Sequence, residues 1–523
     1  MVYQIYPRSF ADANGDGVGD LEGIRGRLDH LAWLGVDAIW LSPFYPSPMA
    51  DFGYDVADYC DVDPLFGSLS DFDRLLADAH ARDVRVILDW VPAHTSAEHP
   101  WFRASRASRT GAKRDWYVWR DPAPGGGPPN NWLSVFGGSA WEWDEATEQF
   151  YLHSHLVEQP DLNWRNPEVV KAQHDVLRFW LDRGVDGFRI DVIHKIAKHP
   201  ELPDNPTIPG REGHGYGAQQ HLHDENHPDV HAFLRDVRRV LDGYPERTSV
   251  GEVYILDPEV AASYYGRGDE LHLAFNFSFL HTPFEAGAFR REVERFEAAL
   301  PPDAWPDQVL SNHDVARHAS RYDHPEHGEA RARLAALMLL TLRGTPFLYY
   351  GEEIGMRDVP IPEDRLKDPL AWTLHPNVSR DPERTPMPWE PGDGHGFTSG
   401  DPWLPFGDDA GSRNVAAQRE DRASLLWLYK NLLALRRAEP ALHRGDYASL
   451  PAPEGVFAYE RRDGAARAWV ALNFSDAEVA PELDAAPVRG GLRTRPDAPL
   501  PDRADRCVLG PWEGAVLLAG DAG

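Results

Sequence analysis

Cysteine is scarce in this sequence of 523 residues, which contains only Cys60 and Cys507. Two distant cysteines without a C-x-x-C spacing argue against a disulfide framework and against a cysteine metal site. Positive charge is also limited, because 53 Lys and Arg residues face 83 Asp and Glu residues, for a formal net charge of −30. Such a chain repels phosphate backbones, so we expect no nucleic-acid partner.

Long apolar runs are missing as well. No stretch approaches the roughly 20 apolar residues that a membrane-spanning helix needs. The opening residues MVYQIYPRSF contain neither the charged start nor the apolar centre of a secretory leader. We therefore expect no membrane partner. We also expect a cytoplasmic location, because a chain without disulfides suits a reducing compartment.

Short β-rich runs alternate with amphipathic helical stretches along most of the chain. This alternation is typical of βα units that form a parallel sheet. Eight such units favour an α/β fold of the (β/α)₈ TIM-barrel type over a doubly wound open sheet. The predicted strands cover residues 2–6, 37–42, 84–91, 186–191, 249–253, 271–276, 308–312 and 345–350.

Two long segments interrupt the βα alternation. The first is rich in Trp, Gly and Pro and follows the third strand, which predicts an inserted subdomain above the barrel. The second follows the eighth strand and predicts a lid or specificity loop over residues 354–420. Short β runs near the end predict a small antiparallel β domain. The predicted domains are the barrel, 1–93 and 165–440, the insertion, 94–164, and the C-terminal domain, 441–523.

Polar residues close four of the predicted strands, where the catalytic groups of a TIM barrel gather. The four segments are DWVPAHTS (89–96), GFRIDVIHK (187–195), VGEVY (250–254) and LSNHD (310–314). One such carboxylate alone is more often a helix N-cap. Cleavage of a glycosidic bond needs two carboxyl groups, about 5–5.5 Å apart in a retaining enzyme. Asp191 and Glu252 close neighbouring strands and can therefore face each other.

These strand ends form an ordered set of motifs. They are D-x-x-x-x-H at Asp89 and His94, G-F-R-x-D at Arg189 and Asp191, G-E at Glu252, and N-H-D at His313 and Asp314. With them, nearly the whole chain resembles glycoside hydrolase family 13, the α-amylase superfamily. The segment QPDLNW (159–164) is similar to a signature of the oligo-1,6-glucosidase/α-glucosidase branch.

The resemblance implies the catalytic roles. Asp191 is the expected nucleophile, Glu252 the general acid and base, and Asp314 the group that holds the sugar ring in a distorted shape. Arg189 lies two residues before Asp191 on the same strand face, so its guanidinium is expected to keep that carboxylate ionised.

The resemblance also implies the substrate contacts. Tyr54 and Asp51, in DFGYD (51–55), are expected to stack on the terminal glucose and to bind its distal hydroxyls. His94 and His313 are expected to donate to further hydroxyls, whereas a packed core histidine is the alternative for each. Arg384 is expected to pair with Asp51 and close the pocket, which implies exo action on single terminal glucoses.

The resulting hypothesis is a retaining, exo-acting α-glucosidase whose partner is a small oligosaccharide and which needs no organic cofactor. A glucosyl-transferring relative, of the sucrose isomerase or trehalose synthase type, shares every catalytic residue and stays open. A non-catalytic scaffold on the same fold is disfavoured, because the carboxylates are present. The oligomeric state is left open by the sequence.

Three positions bear on specificity. Val192, after the predicted nucleophile, resembles α-1,6-active relatives, whereas threonine accompanies α-1,4 specialists. His155 stands where an aromatic residue is common, and Val315 begins Val-Ala-Arg where relatives read Gln-Pro-Arg. We expect the last two to border the leaving-group side.

The segment DANGDGVGD (12–20) has the oxygen spacing of a cation loop. It lacks the final Glu of an EF-hand and follows a strand, so the EF-hand interpretation fails. The resemblance implies a structural divalent cation, Ca²⁺ or Mg²⁺, and a metal-free turn is the alternative. The expected ligands are Asp12, Asn14, Asp16, the Val18 carbonyl and Asp20.

Overall fold

The computed structural model describes residues 1–211 and 213–520. These residues form sixteen β-strands, which in chain order are β1 (Val2–Ile5), β2 (Ala38–Leu41), β3 (Arg85–Trp90), β4 (Trp119–Arg120), β5 (Trp141–Asp144), β6 (Gln149–Leu152), β7 (Gly187–Ile190), β8 (Thr248–Gly251), β9 (Leu273–Ala274), β10 (Asp307–Val309), β11 (Thr345–Tyr349), β12 (Asp446–Ser449), β13 (Val456–Asp463), β14 (Ala466–Asn473), β15 (Val488–Arg493) and β16 (Gly514–Ala519).

Eight of these strands form one parallel sheet in the order β10-β11-β1-β2-β3-β7-β8-β9. Their side chains are buried on both faces, as expected for a parallel sheet covered by helices. The strand register places Asp89 beside Arg189, and Arg189 beside Val250, so the motif residues of β3, β7 and β8 end at one level. The predicted (β/α)₈ fold class is confirmed.

Helices cover the outside of the sheet, and further helices lie in the long connecting segments. In chain order they are α1 (Pro7–Phe10), α2 (Leu21–Gly26), α3 (Leu28–Leu34), α4 (Leu69–His80), α5 (Pro100–Arg106), α6 (Pro167–Asp182), α7 (Val230–Asp242), α8 (Pro258–Ser263), α9 (Phe277–Leu280), α10 (Ala286–Ala299), α11 (His318–Arg321), α12 (Gly328–Thr341), α13 (Leu370–Thr373), α14 (Val415–Glu420), α15 (Leu425–Ala438) and α16 (Pro440–Arg444).

Two of the long helices start after residues whose side chains cap the helix N-terminus. The side chain of Ser68 accepts the Asp71 backbone N–H before α4. Asn166 accepts the Glu168 backbone N–H before α6, whose first residue is Pro167. These caps satisfy backbone N–H groups that have no partner inside the helix.

The segment between β3 and α6 contains α5 and a small antiparallel sheet in the order β4-β6-β5. Its aromatic core includes Trp132, Trp141 and Phe150. An isolated bridge joins His94 to Asp161, so the two ends of the segment meet where it leaves the barrel. This places the inserted segment at the carboxyl ends of the barrel strands.

The end of the chain forms a five-stranded antiparallel sheet in the order β12-β13-β14-β16-β15. It packs on α12, a helix with ten buried residues. Arg461 of β13 donates to the carbonyl of Thr341 at the end of α12 (2.7 Å). The sheet therefore covers a helix that is apolar on most of its circumference.

Within the described ranges, the helices are all too short or too polar to cross a bilayer.

Candidate active site

A cavity of about 420 Å³ opens at the carboxyl ends of the barrel strands. Nine catalytic and substrate-binding residues were predicted, and six of them line this cavity, namely Asp51, Tyr54, His94, Asp191, Glu252 and Asp314. The other three, Arg189, His313 and Arg384, lie beneath its floor and are at most 1 % exposed. The structure thus brings all nine to one place, in two layers.

Arg189 joins three carboxyl groups under the cavity. Its Nη1 donates to Asp89 (2.8 Å) and to Asp191 (2.6 Å). Its Nη2 donates to Glu252 (2.6 Å). Because one planar guanidinium contacts both Asp191 and Glu252, these two carboxyl groups lie on neighbouring sides of it at the bottom of the cavity.

Strand geometry explains this arrangement. Asp191 and Glu252 each follow directly after the last residue of a neighbouring parallel strand, β7 and β8. Val192 then adopts a left-handed backbone conformation (φ 34°), which is strained for a β-branched residue. In that conformation its backbone N–H donates to Glu252 (3.0 Å), a contact that the sequence did not reveal.

The charges of this cluster are not balanced. Burial raises the pKa of Asp191 well above its ordinary value, and the charge of Arg189 only partly opposes this effect. Burial likewise raises the pKa of Asp89 to about 6. Arg189 therefore acts in the expected direction, but burial outweighs it. Three carboxyl groups thus share one guanidinium at the bottom of the cavity.

The ion pairs around Asp51 correct one prediction. Asp51 pairs with Arg380 (2.8 Å), not with Arg384. Arg384 instead donates to Asp314 (2.8 Å) and to the carbonyl of His313 (2.7 Å). The two arginines stand four residues apart on one loop, and Asp368 fixes the Arg380 guanidinium (2.7 Å). The pairing thus depends on how this loop folds back.

The sequence did not indicate Arg380, because Arg380 and Arg384 are both arginines of the same loop segment. It bridges Asp51, Asp368 and Asp314, and each contact is shorter than 3.0 Å. Burial raises the pKa of Asp51 to about 6, and Arg380 opposes that effect. Asp314 has a pKa below its ordinary range because His313, Arg380 and Arg384 together outweigh its burial.

Tyr54 and His313 form a stacked pair at the floor of the cavity. Their rings lie 5.3 Å apart and nearly parallel (4°), and Tyr54 Oη lies 2.6 Å from His313 Nε2. Gln4 occupies the other ring nitrogen of His313 (2.8 Å). His313 therefore has partners at both nitrogens and supports Tyr54 from below, while its predicted contact with sugar hydroxyls stays a prediction.

His94 and His155 form a wall of the same cavity. Their ring centroids are 4.9 Å apart. His94 Nε2 lies 3.1 Å from the carbonyl of Tyr54 and 3.1 Å from Gln159, whose amide also contacts Asp51 (3.2 Å). His155 is thus linked through His94 to the Asp51 end of the cavity, and its place relative to the leaving group stays a prediction.

A second polar group lines the cavity near Glu252. Lys195 donates to Glu225 (2.7 Å) and to Tyr216. Burial lowers the pKa of Lys195, but Glu225, Tyr216 and Asp224 together outweigh it, so the pKa of this lysine is raised. His194 Nδ1 lies 3.2 Å from the carbonyl of Glu252. His194 and Lys195 belong to the strand-end segment 187–195. Tyr216 and Glu225 lie in the long connection after it, where no motif indicated a site.

The loop 12–20 folds as a series of side-chain turns. The carboxylate of Asp12 accepts the backbone N–H groups of Asn14 (3.0 Å) and Gly17 (2.8 Å). Asp16 accepts the N–H of Val18 (2.9 Å), and Asp20 caps α2. Within the described ranges, His, Cys, Asp and Glu side chains form no group of three or more positioned to hold a metal. The loop still offers oxygen donors, which a hard cation prefers. The cation stays a prediction.

Comparisons with known proteins agree with this geometry. The family model for the α-amylase catalytic domain matches residues 4–445. A probable α-glucosidase of Rhizobium meliloti is 46 % identical over 499 residues, which cover 92 % of this chain and 90 % of that protein. An oligo-1,6-glucosidase of Heyndrickxia coagulans is 39 % identical, with 92 % of each chain covered. The crystal structure of XgtA, an α-glucosyl transfer enzyme, has a TM-score of 0.92 and 42 % identity, covering 99 % and 98 % of the two chains. The chain belongs to the α-amylase family.

Proposed function

We propose that this protein is a retaining, exo-acting α-glucosidase that releases terminal glucose from short α-linked oligosaccharides such as maltose and isomaltose. The observation that carries the proposal is the placement of Asp191 and Glu252 on one guanidinium, that of Arg189, at the bottom of the cavity. The relatives named α-glucosidase and oligo-1,6-glucosidase support the same activity.

The reaction uses this pair in two steps. Asp191 attacks the anomeric carbon while Glu252 gives a proton to the leaving oxygen, so the glycosidic bond breaks and a glycosyl-enzyme ester forms. Glu252 then removes a proton from water, which attacks the same carbon and releases glucose and the Asp191 carboxylate. Two inversions leave the anomeric configuration unchanged. Arg189 balances the negative charge that moves between the two carboxyl groups.

The exo action rests on the closed end of the cavity. Asp51 and Arg380 form an ion pair there and both line the cavity wall. Their side chains are 7 % and 13 % exposed, and in this proposal the pair forms the wall beyond the terminal sugar. A polymer chain cannot pass through a cavity that is closed at one end, and we expect starch to be nearly inert.

Glucosyl transfer is the second candidate function, because XgtA is named an α-glucosyl transfer enzyme and shares the fold over almost the whole chain. The two activities differ only in whether water or a sugar accepts the glucosyl group. Incubation with maltose, isomaltose, sucrose, trehalose and starch, followed by product chromatography, separates them. Free glucose from maltose and isomaltose supports hydrolysis, whereas new disaccharides from sucrose support transfer. An inert enzyme on all five substrates would contradict both.

A structural divalent cation, Ca²⁺ or Mg²⁺, is the next part of the proposal. The loop offers Asp12, Asn14, Asp16, the Val18 carbonyl and Asp20 as oxygen donors. Burial raises the pKa of Asp20, and the negative charge of Asp12 adds to this effect. A cation would relieve that repulsion and would link the side-chain ligands to the Val18 carbonyl of the same loop.

The cytoplasm is the proposed compartment. Both cysteines, Cys60 and Cys507, are free thiols, and burial raises the pKa of each to about 11. A protein that does not use disulfides is compatible with a reducing compartment. Cell fractionation with an activity assay tests this, and activity confined to the medium or to the periplasm would contradict it.

A further inference from the structure

The wall formed by His94 and His155 contains a ring nitrogen without a protein partner. His155 lines the cavity and is only 8 % exposed. Its Nδ1 is enclosed by protein and has no hydrogen-bond partner. Its Nε2 is not among the enclosed nitrogens and makes no hydrogen bond within the described residues. Nε2 is therefore the nitrogen that a molecule in the cavity can reach.

The protonation of His155 follows from its surroundings. Burial lowers the pKa of His155 well below its ordinary value, so the ring is neutral and has a single N–H. A buried N–H without an acceptor is less tolerable than a buried lone pair without a donor. The proton is therefore favoured on Nε2, which faces the cavity, and His155 presents a hydrogen-bond donor there.

His94 is occupied in a different way. Its Nε2 faces the carbonyl of Tyr54 (3.1 Å), and its Nδ1 is enclosed without a partner. The carbonyl of Tyr54 accepts and the amide nitrogen of Gln159, also 3.1 Å away, donates, so His94 Nε2 already has a protein partner in either tautomer. Of the two imidazoles in this wall, His155 is the one with a donor left for a ligand.

The backbone at His155 is fixed, so its ring is held in position. Its carbonyl accepts from the Ser134 hydroxyl (2.6 Å) and from His153 Nδ1 (2.9 Å). The rings of His94 and Phe136 pack against its imidazole, with centroids 4.9 and 6.2 Å away. A donor that is held rigidly loses little conformational entropy when it binds a ligand.

We propose that His155 is a specificity-determining residue that donates a hydrogen bond from Nε2 to one hydroxyl of the terminal sugar. This inference rests on the proposed glucosidase activity and on the link of the histidine wall to Asp51 through Gln159. The enzyme thereby distinguishes a fully hydroxylated terminal sugar from a deoxy sugar at that position.

The test compares wild-type protein and His155→Phe on 4-nitrophenyl α-glucoside and on its 2-, 3-, 4- and 6-deoxy analogues. Phenylalanine keeps an aromatic ring but removes the donor. We expect kcat/KM of His155→Phe on the parent glucoside to fall about tenfold. On one deoxy analogue the two proteins should perform equally, because the hydroxyl that His155 contacts is already missing there.

His155→Gln and His174→Phe are the controls. Glutamine restores an amide donor, so His155→Gln should recover part of the loss on the parent glucoside. His174 lies on α6, outside the cavity, and His174→Phe should leave the whole panel unchanged. Circular dichroism and the melting temperature show whether each variant folds.

The outcomes separate this inference from the proposed function. No hydrolysis of the parent glucoside by wild-type protein would overturn the glucosidase proposal itself. An equal loss for His155→Phe on all five glucosides would show a purely structural role and would overturn this inference alone. An unchanged kcat/KM for His155→Phe on the parent glucoside would overturn it as well.

Discussion

Asp191 and Glu252 occupy similar surroundings but have different proposed tasks, so substitutions at the two positions should give different kinetics. Asp191→Asn removes the nucleophile, and we expect kcat to fall at least about a thousandfold on every substrate. Glu252→Gln removes the acid, and it should retain more activity on 4-nitrophenyl α-glucoside than on maltose. Nitrophenolate leaves without much proton assistance, whereas a sugar alkoxide does not.

Steady-state kinetics on both substrates measures this difference, with circular dichroism to confirm that each variant is folded. The loss on maltose divided by the loss on nitrophenyl glucoside should be well above one for Glu252→Gln and near one for Asp191→Asn. Equal losses of Glu252→Gln on good and poor leaving groups would argue against its role as the acid.

Val192 tests how far one side chain sets linkage preference. It lines the cavity, and its backbone N–H donates to Glu252 (3.0 Å). We expect wild-type protein to hydrolyse isomaltose at a rate within about tenfold of maltose. Val192→Thr should shift kcat/KM towards maltose, because one contact in a leaving-group subsite contributes about 1–3 kcal/mol of discrimination.

Competition between the two disaccharides gives the ratio of kcat/KM values directly. Thr and Val are both β-branched, so the strained backbone at φ 34° is the same problem for either side chain. A ratio that does not move in Val192→Thr, or wild-type protein that cleaves maltose and leaves isomaltose untouched, would show that Val192 does not set linkage choice.

At the scale of elements, the predicted strands can be compared with the strands of the structure. Each predicted strand is present in the sheet, although β9 covers only Leu273 and Ala274 within the predicted 271–276. Among the described residues β9 pairs with β8 alone, and no strand pairing joins β9 to β10. Periodicity predicts where a strand runs but does not predict how many of its residues find a partner.

The loop 12–20 is the element whose proposed cation can be removed. Chelation should lower the melting temperature, because a ligand that binds only the folded state stabilises it. Activity measured well below melting should change much less, since the loop residues are not among those that line the cavity. Differential scanning calorimetry before and after chelation, with elemental analysis, measures the effect.

Added Ca²⁺ or Mg²⁺ should restore the melting temperature of the chelated protein. Asp16→Ala is a useful comparison, because Asp16 is an exposed member of the loop and accepts only the N–H of Val18 there. It should lower the melting temperature of the untreated protein and make the protein insensitive to chelation. An unchanged melting curve after exhaustive chelation, with no bound metal, would contradict the proposal.

At the scale of the whole molecule, the C-terminal sheet stabilises the barrel through α12. Arg461 donates from the sheet to the carbonyls of Thr341 (2.7 Å) and Gly445 (2.7 Å) and is fully buried. Arg461→Ala would leave these carbonyls without donors, so we expect the free energy of unfolding to fall by about 2–3 kcal/mol. The melting temperature should fall, while kcat/KM measured well below melting should stay unchanged.

Arg462→Ala is the matched control, because Arg462 is the next residue of the same strand and is exposed. It should leave the melting temperature almost unchanged. Equal melting temperatures for Arg461→Ala and wild-type protein would show that the sheet does not depend on this buried arginine for its attachment to the barrel.

Much of this protein was determined by local sequence. The βα alternation specified the barrel because each strand and helix carries its own periodicity. The carboxylates at strand ends were identifiable because parallel strands all point their carboxyl ends to one edge. The order of the strands predicted that Asp191 and Glu252 are neighbours, and the resemblance to glycoside hydrolase family 13 implied their roles.

Only the tertiary structure decided contacts between segments that are distant in sequence. Asp51 pairs with Arg380 across 329 positions, and nothing local distinguishes Arg380 from Arg384. The wall of His94 and His155 likewise exists because the inserted segment returns to the barrel beside Asp51. The periodicity of a segment predicts its own helix or strand. It does not predict a contact with a long loop, because that contact depends on the path of the loop through space.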